Sequence, residues 1–334
     1  MKHLIYYFII LLCAACASQN SETEKFYTAW DKVIDAKTQV HEINMDTVLI
    51  NGNSTPYIAG QYLLIADGKS TNKLIYVFDK NDFHYMGCFA HQGEGPKDIT
   101  RIGTLGTNQN PQSIYITDYG KMKIFSCRID SALTDSTYTI KDAIALNPAQ
   151  FPSDYTLISD SIGIGLFIFP NSSSDYRPHV AKWNLFTGKC EPMPYEYPDI
   201  QHKRVTCGIS PQNNIYAECY EFHDLMTLCD FSGKLICNIH GPNWELNPKK
   251  KIHYYSYAVF CKNMVIAAYS GGDNQTDDYY PTKFNVFDLE GNYLKTIDVG
   301  YKILRYCYDH ENNRLIICFN DDIQYGYLDL KGLI

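Results

Sequence analysis

Past residue 16, the 334-residue sequence has no Cys-x-x-Cys pair, no long basic run and no Gly-x-Ser-x-Gly elbow. Each absence removes a class of protein. Without Cys-x-x-Cys a structural zinc site has little support. The formal net charge is −8, and an acidic surface repels phosphate, so nucleic acid is not a partner. A serine hydrolase carried on a propeller needs the missing elbow on an α/β domain. Sialidase-like propellers need repeated Ser-x-Asp-x-Gly-x-Thr-Trp turns, and none is present in a chain with three Trp. Charged residues are also scarce, at 20%.

Aromatic residues fill the space that charge leaves. The chain has 28 Tyr and 16 Phe, which favours sheets with many half-buried ring positions over helical bundles. One all-β domain can hold a chain of this length.

The N-terminus has its own signature. Met1-Lys2-His3 precedes an apolar run over residues 4–12. That run has signal-peptide length and is too short to cross a bilayer as a helix. Cys13-Ala14-Ala15-Cys16 follows, and the small residues before Cys16 suit a lipoprotein signal peptidase, whereas bulky Leu12 precedes Cys13. Residues 1–15 therefore read as a lipoprotein signal peptide. Cys16 becomes the acylated first residue, a lipid anchor holding the protein at the cell envelope, either periplasmic or surface-exposed. Residues 16–38 read as a polar tether followed by a short helix, because Phe26, Trp30, Val33 and Ile34 recur at helical spacing.

Ten cysteines remain after Cys13 and Cys16, and an exported chain must be considered for disulfides. Their placement argues against a framework. They sit singly inside apolar strands, as in Leu235-Ile236-Cys237-Asn238-Ile239, where Cys acts as a small hydrophobe. Cys229 and Cys237 flank one tight turn, but hairpin geometry leaves them on opposite faces or diagonal, too far apart to bond.

An internal repeat decides the fold. An apolar strand ending in Asp or Asn, a turn and a second strand recur at Leu74-Ile75-Tyr76-Val77-Phe78-Asp79, Leu228-Cys229-Asp230-Phe231-Ser232-Gly233, Phe284-Asn285-Val286-Phe287-Asp288-Leu289-Glu290-Gly291 and Gly326-Tyr327-Leu328-Asp329-Leu330-Lys331-Gly332. Weaker copies are Trp183-Asn184-Leu185-Phe186-Thr187-Gly188 and Phe125-Ser126-Cys127-Arg128-Ile129-Asp130. Asp-x-x-Gly suits a type I turn closed by a left-handed glycine. Six copies between Asp79 and Asp329 give a period of about 50 residues, enough for four short strands and their loops. The sequence thus predicts an all-β fold, a six-bladed β-propeller over residues 39–334. The last unit has three strands, and an orphan strand over residues 40–50 is predicted to supply its outer strand and close the ring.

Residues 63–67 and 74–79, with Gly87-Cys88-Phe89-Ala90-His91-Gln92-Gly93-Glu94-Gly95-Pro96, resemble the TolB-like six-bladed propeller lipoproteins of Gram-negative bacteria. The distinctive part is the loop Gly93-Glu94-Gly95-Pro96. Ala90 stands where a Gly is expected, and Lys97-Asp98 supplies the acidic residue after the Pro with an offset. The resemblance implies the fold and an envelope location, and little chemistry.

Propellers bind ligands at an axial mouth formed by loops that join one blade's outer strand to the next blade's inner strand. Those loops carry His91, Glu94, Lys97 and Arg101, then Lys203 and Arg204, then Lys249, Lys250, Lys251 and His253, then Lys302 and Arg305. The candidate ligand-binding residues are His91, Glu94, Arg101, Arg204, His253 and Arg305. Together they would form a cationic funnel for an anionic group on a glycan or peptide. Tyr195, Tyr197, Trp244, Tyr254, Tyr255 and Tyr301 could stack on sugar rings. A partner protein is the other possible occupant of a non-catalytic binding or scaffolding propeller, and no catalytic residue, metal or cofactor is assigned. The enzyme alternative is a calcium-dependent lactonase-type hydrolase, which needs acidic and amide side chains converging on the axis. The insertion Gly271-Gly272-Asp273-Asn274-Gln275-Thr276-Asp277-Asp278 has oxygen ligands but lacks the calcium-loop pattern and reads as a solvated loop. His223-Asp224 reads as turn chemistry.

Overall fold

A strand that is apolar on both faces must be covered on both. Tyr62–Ala66, Ile215–Tyr220 and Arg314–Phe319 are buried along their whole length. Stacking small sheets face to face in a ring meets that demand without leaving long open edges. The computed structural model describes residues 22–28, 30–45, 48–107, 113–170 and 176–334, and it shows six small sheets in such a ring. The signal peptide and Cys16 lie outside the described residues.

Blade one is Thr55–Ala59, Tyr62–Ala66, Lys73–Asp79 and Tyr85–His91, and blade two is Ile102–Thr107, Ser113–Asp118, Lys123–Arg128 and Lys141–Ala145. Blade three is Phe151–Leu157, Ile162–Pro170, Tyr176–Asn184 and Cys190–Pro192. Blade four is Val205–Ser210, Ile215–Tyr220, Leu225–Asp230 and Leu235–His240, and blade five is Ile252–Cys261, Met264–Asp273, Lys283–Asp288 and Tyr293–Asp298. Blade six takes Ile303–Asp309, Arg314–Phe319 and Tyr325–Asp329, with Val40–Glu42 as its outer strand. Six hydrophobic clusters fill the gaps between neighbouring blades.

The ring closes as the sequence predicts, over a shorter stretch than residues 40–50. Val40, His41 and Glu42 pair antiparallel with Leu328, Tyr327 and Gly326, and the Ile43 amide donates to the Tyr325 carbonyl at 2.8 Å. Ile43, Met45 and Ile50 then turn into the cluster between blades six and one, beside Leu63, Ile316 and Tyr325.

The predicted turns are present in the strong copies. Asp230 Oδ1 accepts the amides of Ser232 and Lys234, Asp288 Oδ1 accepts those of Glu290 and Asn292, and Gly233 and Gly291 have φ of 79° and 84°. The Asp130 copy is different: a helix, Ile129–Thr134, interrupts the hairpin after Arg128. All ten described cysteines are free, and a bulge sets Cys237 opposite Leu228 and Cys229 opposite Leu235.

The short helix predicted near Phe26 is replaced by two strands. Glu24–Phe26 runs parallel to the outer strand of blade four, and Val33–Asp35 runs parallel to that of blade five. Unpaired edge amides and carbonyls outweigh the helical spacing, whose residues Phe26 and Val33 are 65% and 51% exposed. Tyr27 makes the anchoring contact instead: it is buried between these blades and stacked on Tyr293 at 5.0 Å.

Candidate functional site

All six innermost strands contribute to an axial channel of about 500 Å³, lined by Thr55 and Tyr57, Gly103 and Thr104, Ser153 and Asp154, Thr206, Ser256 and Tyr257, and Arg305 and Tyr306. It shares Asn53, Thr206, Ser256 and Arg305 with a mouth of about 610 Å³. The mouth adds Lys69, Glu221, His253, Tyr279, Tyr280 and Asn320. Bulges aim several of these side chains. Register shifts fall between Ile102 and Leu105, Pro152 and Asp154, Tyr255 and Tyr257, and Ile303 and Arg305. A bulge adds a residue and re-aims its neighbours.

Asp154 is the carboxylate of the channel. The Thr104 hydroxyl donates to its Oδ1 at 3.0 Å, and the Tyr57 hydroxyl lies 3.4 Å from Thr104 Oγ1. Asp154 keeps an edge open to the channel, yet protein surrounds it. Burial pushes its carboxyl up to about 6, while the Thr104 and Tyr155 hydrogen bonds and the Arg305 charge pull the other way. Burial likewise pushes the Tyr57 hydroxyl up to about 12. The Tyr119 hydroxyl donates to the carbonyls of Pro152 and Ser153 at 2.9 and 3.0 Å, holding the bulge in place.

Of the six candidate residues, the structure brings His253 and Arg305 together at the mouth. Arg305 Nη1 donates to its neighbour's carbonyl, Leu304 O, at 2.8 Å. His253 Nδ1 faces the Tyr279 carbonyl at 2.7 Å, so that nitrogen must carry the proton; Nε2 faces Ser256 Oγ at 3.4 Å. Arg204 lines a different cavity, between blades three and four. His91, Glu94 and Arg101 line neither axial cavity. His91 pairs with Lys73 at 2.6 Å, and Glu94 accepts the Thr100 hydroxyl at 3.4 Å.

The distinctive glycine loop is a cradle for Asp98. A Cβ at Gly93 or Gly95 would come within 2.7 or 2.5 Å of the Asp98 carboxylate, and the Gly95 amide donates to that group at 3.0 Å. Lys121 ties the loop down by donating to the carbonyls of Gly95 and Asp98.

Other loop cations hold carboxylates. Lys203 bonds Glu218 at 3.0 Å, Lys302 meets Asp277 at 3.1 Å, and Lys97 lies 3.7 Å from Asp142. Among the described residues no ion pair engages Arg305, and it opens onto both axial cavities. Amides are also present at the mouth, but Asn51 is committed to Asp67 through two hydrogen bonds. The described His, Cys, Asp and Glu side chains that gather closely enough to share an ion are Asp79, Asp82 and His84, on an outer turn of blade one.

Sequence reasoning missed Asp154, Thr104, Tyr57 and the overhang of Tyr279 and Tyr280. The last two directly follow the insertion over residues 271–278 that reads as a solvated loop, and in the structure they form part of the rim. Their cue was the insertion's length, which extends two strands of blade five to ten residues each.

Comparison with known proteins adds family and fold. No curated protein matches the sequence. A member of the DUF4221 family from Bacteroides vulgatus is similar in structure over 86% of this chain and 94% of its own, at 12% identity and a TM-score of 0.58. A Bacteroides fragilis protein described as exported is similar over 88% and 87%, at 12% identity and a TM-score of 0.55. Regucalcin from Agrobacterium tumefaciens, described as a calcium-binding protein, is similar over 89% and 95%, at 10% identity and a TM-score of 0.53. At these identities the likeness is one of fold. A family profile described as a domain of unknown function, DUF4221, matches residues 34–283, well over half of the sequence, and the chain belongs to that family.

Proposed function

We propose that this protein is a non-catalytic binding propeller that holds the anionic group of a glycan in its axial mouth. Arg305 carries the reading. It is a permanent cation opening onto both axial cavities, and among the described residues it is in no ion pair. A guanidinium left free at a concave site is suited to a carboxylate, which it can bind through two parallel hydrogen bonds. Hydroxyls of Tyr57, Thr104 and Ser256 supply the polar contacts that a sugar uses. Arg305 and Lys69 at the same opening count against a divalent cation there.

Titration calorimetry with digalacturonate and with neutral lactose tests the reading. Wild type binds the acid in preference, and Arg305→Ala weakens it by about 10- to 100-fold, the value of a charge-assisted contact. Among the described residues the Arg305 side chain bonds only its neighbour's carbonyl, so the fold should survive, and circular dichroism checks that. Equal binding of acid and neutral sugar, or an unchanged Arg305→Ala, would sink the reading.

The location belongs to the same proposal. The apolar run before Cys13-Ala14-Ala15-Cys16 and the resemblance to TolB-like lipoproteins support a lipid anchor on Cys16 at the envelope. Labelling cells with an alkynyl fatty acid should mark the wild-type chain and leave Cys16→Ser unmarked. Equal labelling of both would remove the anchor.

A further inference from the structure

We infer that the cavity between blades three and four is a second subsite for the same ligand, so that the protein binds an extended acidic glycan rather than a single sugar acid. The inference rests on the axial reading above. The cavity has a volume of about 290 Å³, and Lys203 and Glu196 are among its lining.

Its charges are sorted into spent and free. Lys203 is held by Glu218 at 3.0 Å, a pair with side chains only 8% and 3% exposed. Glu196 is engaged by His179 and lies 3.7 Å from Lys203. Those ion pairs occupy the one carboxylate and the one lysine that line the cavity among the described residues. Arg177 and Arg204 remain, both exposed and, among the described residues, in no ion pair. Two free guanidiniums in one hollow of an acidic protein match a run of carboxylates.

The walls favour sugar over peptide. Tyr197 is fixed by edge contacts with Trp244 at 5.7 Å and His240 at 6.1 Å, which leaves a preset ring at the cavity. Tyr176, 47% exposed, offers a second. A rigid ring presents a flat apolar surface to the C–H face of a pyranose at small entropic cost.

The two cavities adjoin. Arg204 lines this one and Glu221 lines the axial mouth, and the Glu221 amide donates to the Arg204 carbonyl at 2.9 Å. Thr206, two residues beyond Arg204 on the innermost strand of blade four, already faces the channel. Two strand residues span roughly 7 Å. A ligand seated against Arg305 and Thr206 therefore has a second pair of arginines within reach, and linking two sites raises affinity steeply with ligand length.

Calorimetric titration of oligogalacturonates of two, four and six units, compared between wild type, Arg305→Ala and Arg177→Ala/Arg204→Ala, tests this. In wild type, affinity should rise at least tenfold from the dimer to the hexamer. The double variant should bind the dimer as wild type does and lose that gain, while Arg305→Ala weakens every length. If the double variant keeps the full length dependence, the second subsite is overturned while the axial reading stands. If Arg305→Ala binds normally and the double variant does not, the axial reading fails and this cavity is a site of its own. Hexaglutamate bound as tightly as the hexamer would overturn the glycan class, and wild type binding no acid would overturn both proposals.

Discussion

Asp154 and Arg305 reach the axial channel from diametrically opposite blades, three and six, and their charges act on each other across it. No ion pair joins them. The carboxyl, pushed up to about 6 by burial, sits in the space into which Arg305 would draw an anion. An ionised Asp154 therefore opposes the ligand that Arg305 attracts.

The sign of the pH effect follows. Above about 6 Asp154 is charged and repels an acidic ligand; below it the carboxyl is neutral. Galacturonate stays ionised at pH 5, so its affinity should rise by about 3- to 10-fold between roughly pH 7.5 and pH 5. The tyrosines around Asp154, namely Tyr57, Tyr119, Tyr155 and Tyr257, are all pushed upward and stay neutral over this range. Asp154→Asn should bind at neutral pH as wild type does in acid, with a flatter profile. His253 also lies at the mouth, so His253→Gln serves as the control. A profile unchanged in Asp154→Asn and abolished in His253→Gln would assign the effect to the imidazole.

Ring closure has a buried ionic lock besides its strand. Lys80, in a turn of blade one, lies 3.7 Å from Asp309 and 2.7 Å from Glu311 of blade six, and Arg314 Nε meets Asp309 Oδ2 at 3.1 Å. Asp309 is 0% exposed, Lys80 2% and Arg314 8%. Asp309→Ala leaves the buried Arg314 without an ion pair among the described residues and Lys80 with Glu311 alone, and should cost about 3–5 kcal/mol in urea unfolding. A loss under about 1 kcal/mol would mean that the lock contributes little and that strand pairing with Val40–Glu42 closes the ring alone.

The architecture was legible because it is periodic. Asp230, Asp288 and Asp329 announce their turns through local hydrogen bonds, and local chemistry shows in a single sequence. The orphan strand was found by counting, since blade six lacks one element without it. The axial site was less legible, and bulges are the reason. Asp154 and Arg305 face the channel beside register shifts in their strands, so strict alternation does not say which residues point inward. The N-terminal strands were misread because their pairing is with the far edges of blades four and five, more than 200 residues away in sequence. Ala90 shows the reverse case. It has φ of 62°, the left-handed conformation that explains why the resemblance leads one to expect a glycine at that position.

The N-terminal strap should prove structural rather than ornamental. Tyr27 bonds the Tyr255 hydroxyl at 3.0 Å and accepts from Asn285 Nδ2 at 3.2 Å, inside a buried network that Thr296 completes. Tyr27→Phe should cost about 1–2 kcal/mol through those lost bonds, and Tyr27→Ala about 3–5 kcal/mol by opening a cavity beside Tyr293. Chemical denaturation measures both. Equal stabilities for wild type and Tyr27→Ala would show that the strap peels away in solution.

Asp224 gives a stability test independent of any ligand. It is 0% exposed; its Oδ2 accepts the Asn243 amide at 2.9 Å and the Tyr269 hydroxyl at 3.1 Å, and Oδ1 has no partner among the described residues. Burial pushes this carboxyl up to about 6 from an ordinary 3.8. Between those values the folded chain holds a proton that the unfolded chain has released, so this group's contribution to stability falls as pH rises. The penalty is complete above about 6 and gone below 3.8, with an upper size of about 3 kcal/mol. Asp224→Asn keeps an oxygen for both donors and removes the charge. The variant should therefore be the more stable protein at about pH 8, with an advantage that shrinks steadily as the pH is lowered to about 4.5. Thermal melts of the two proteins across that range measure the difference directly, which cancels every other titrating group they share. A difference independent of pH would mean that Asp224 ionises in the folded protein as easily as in the unfolded one.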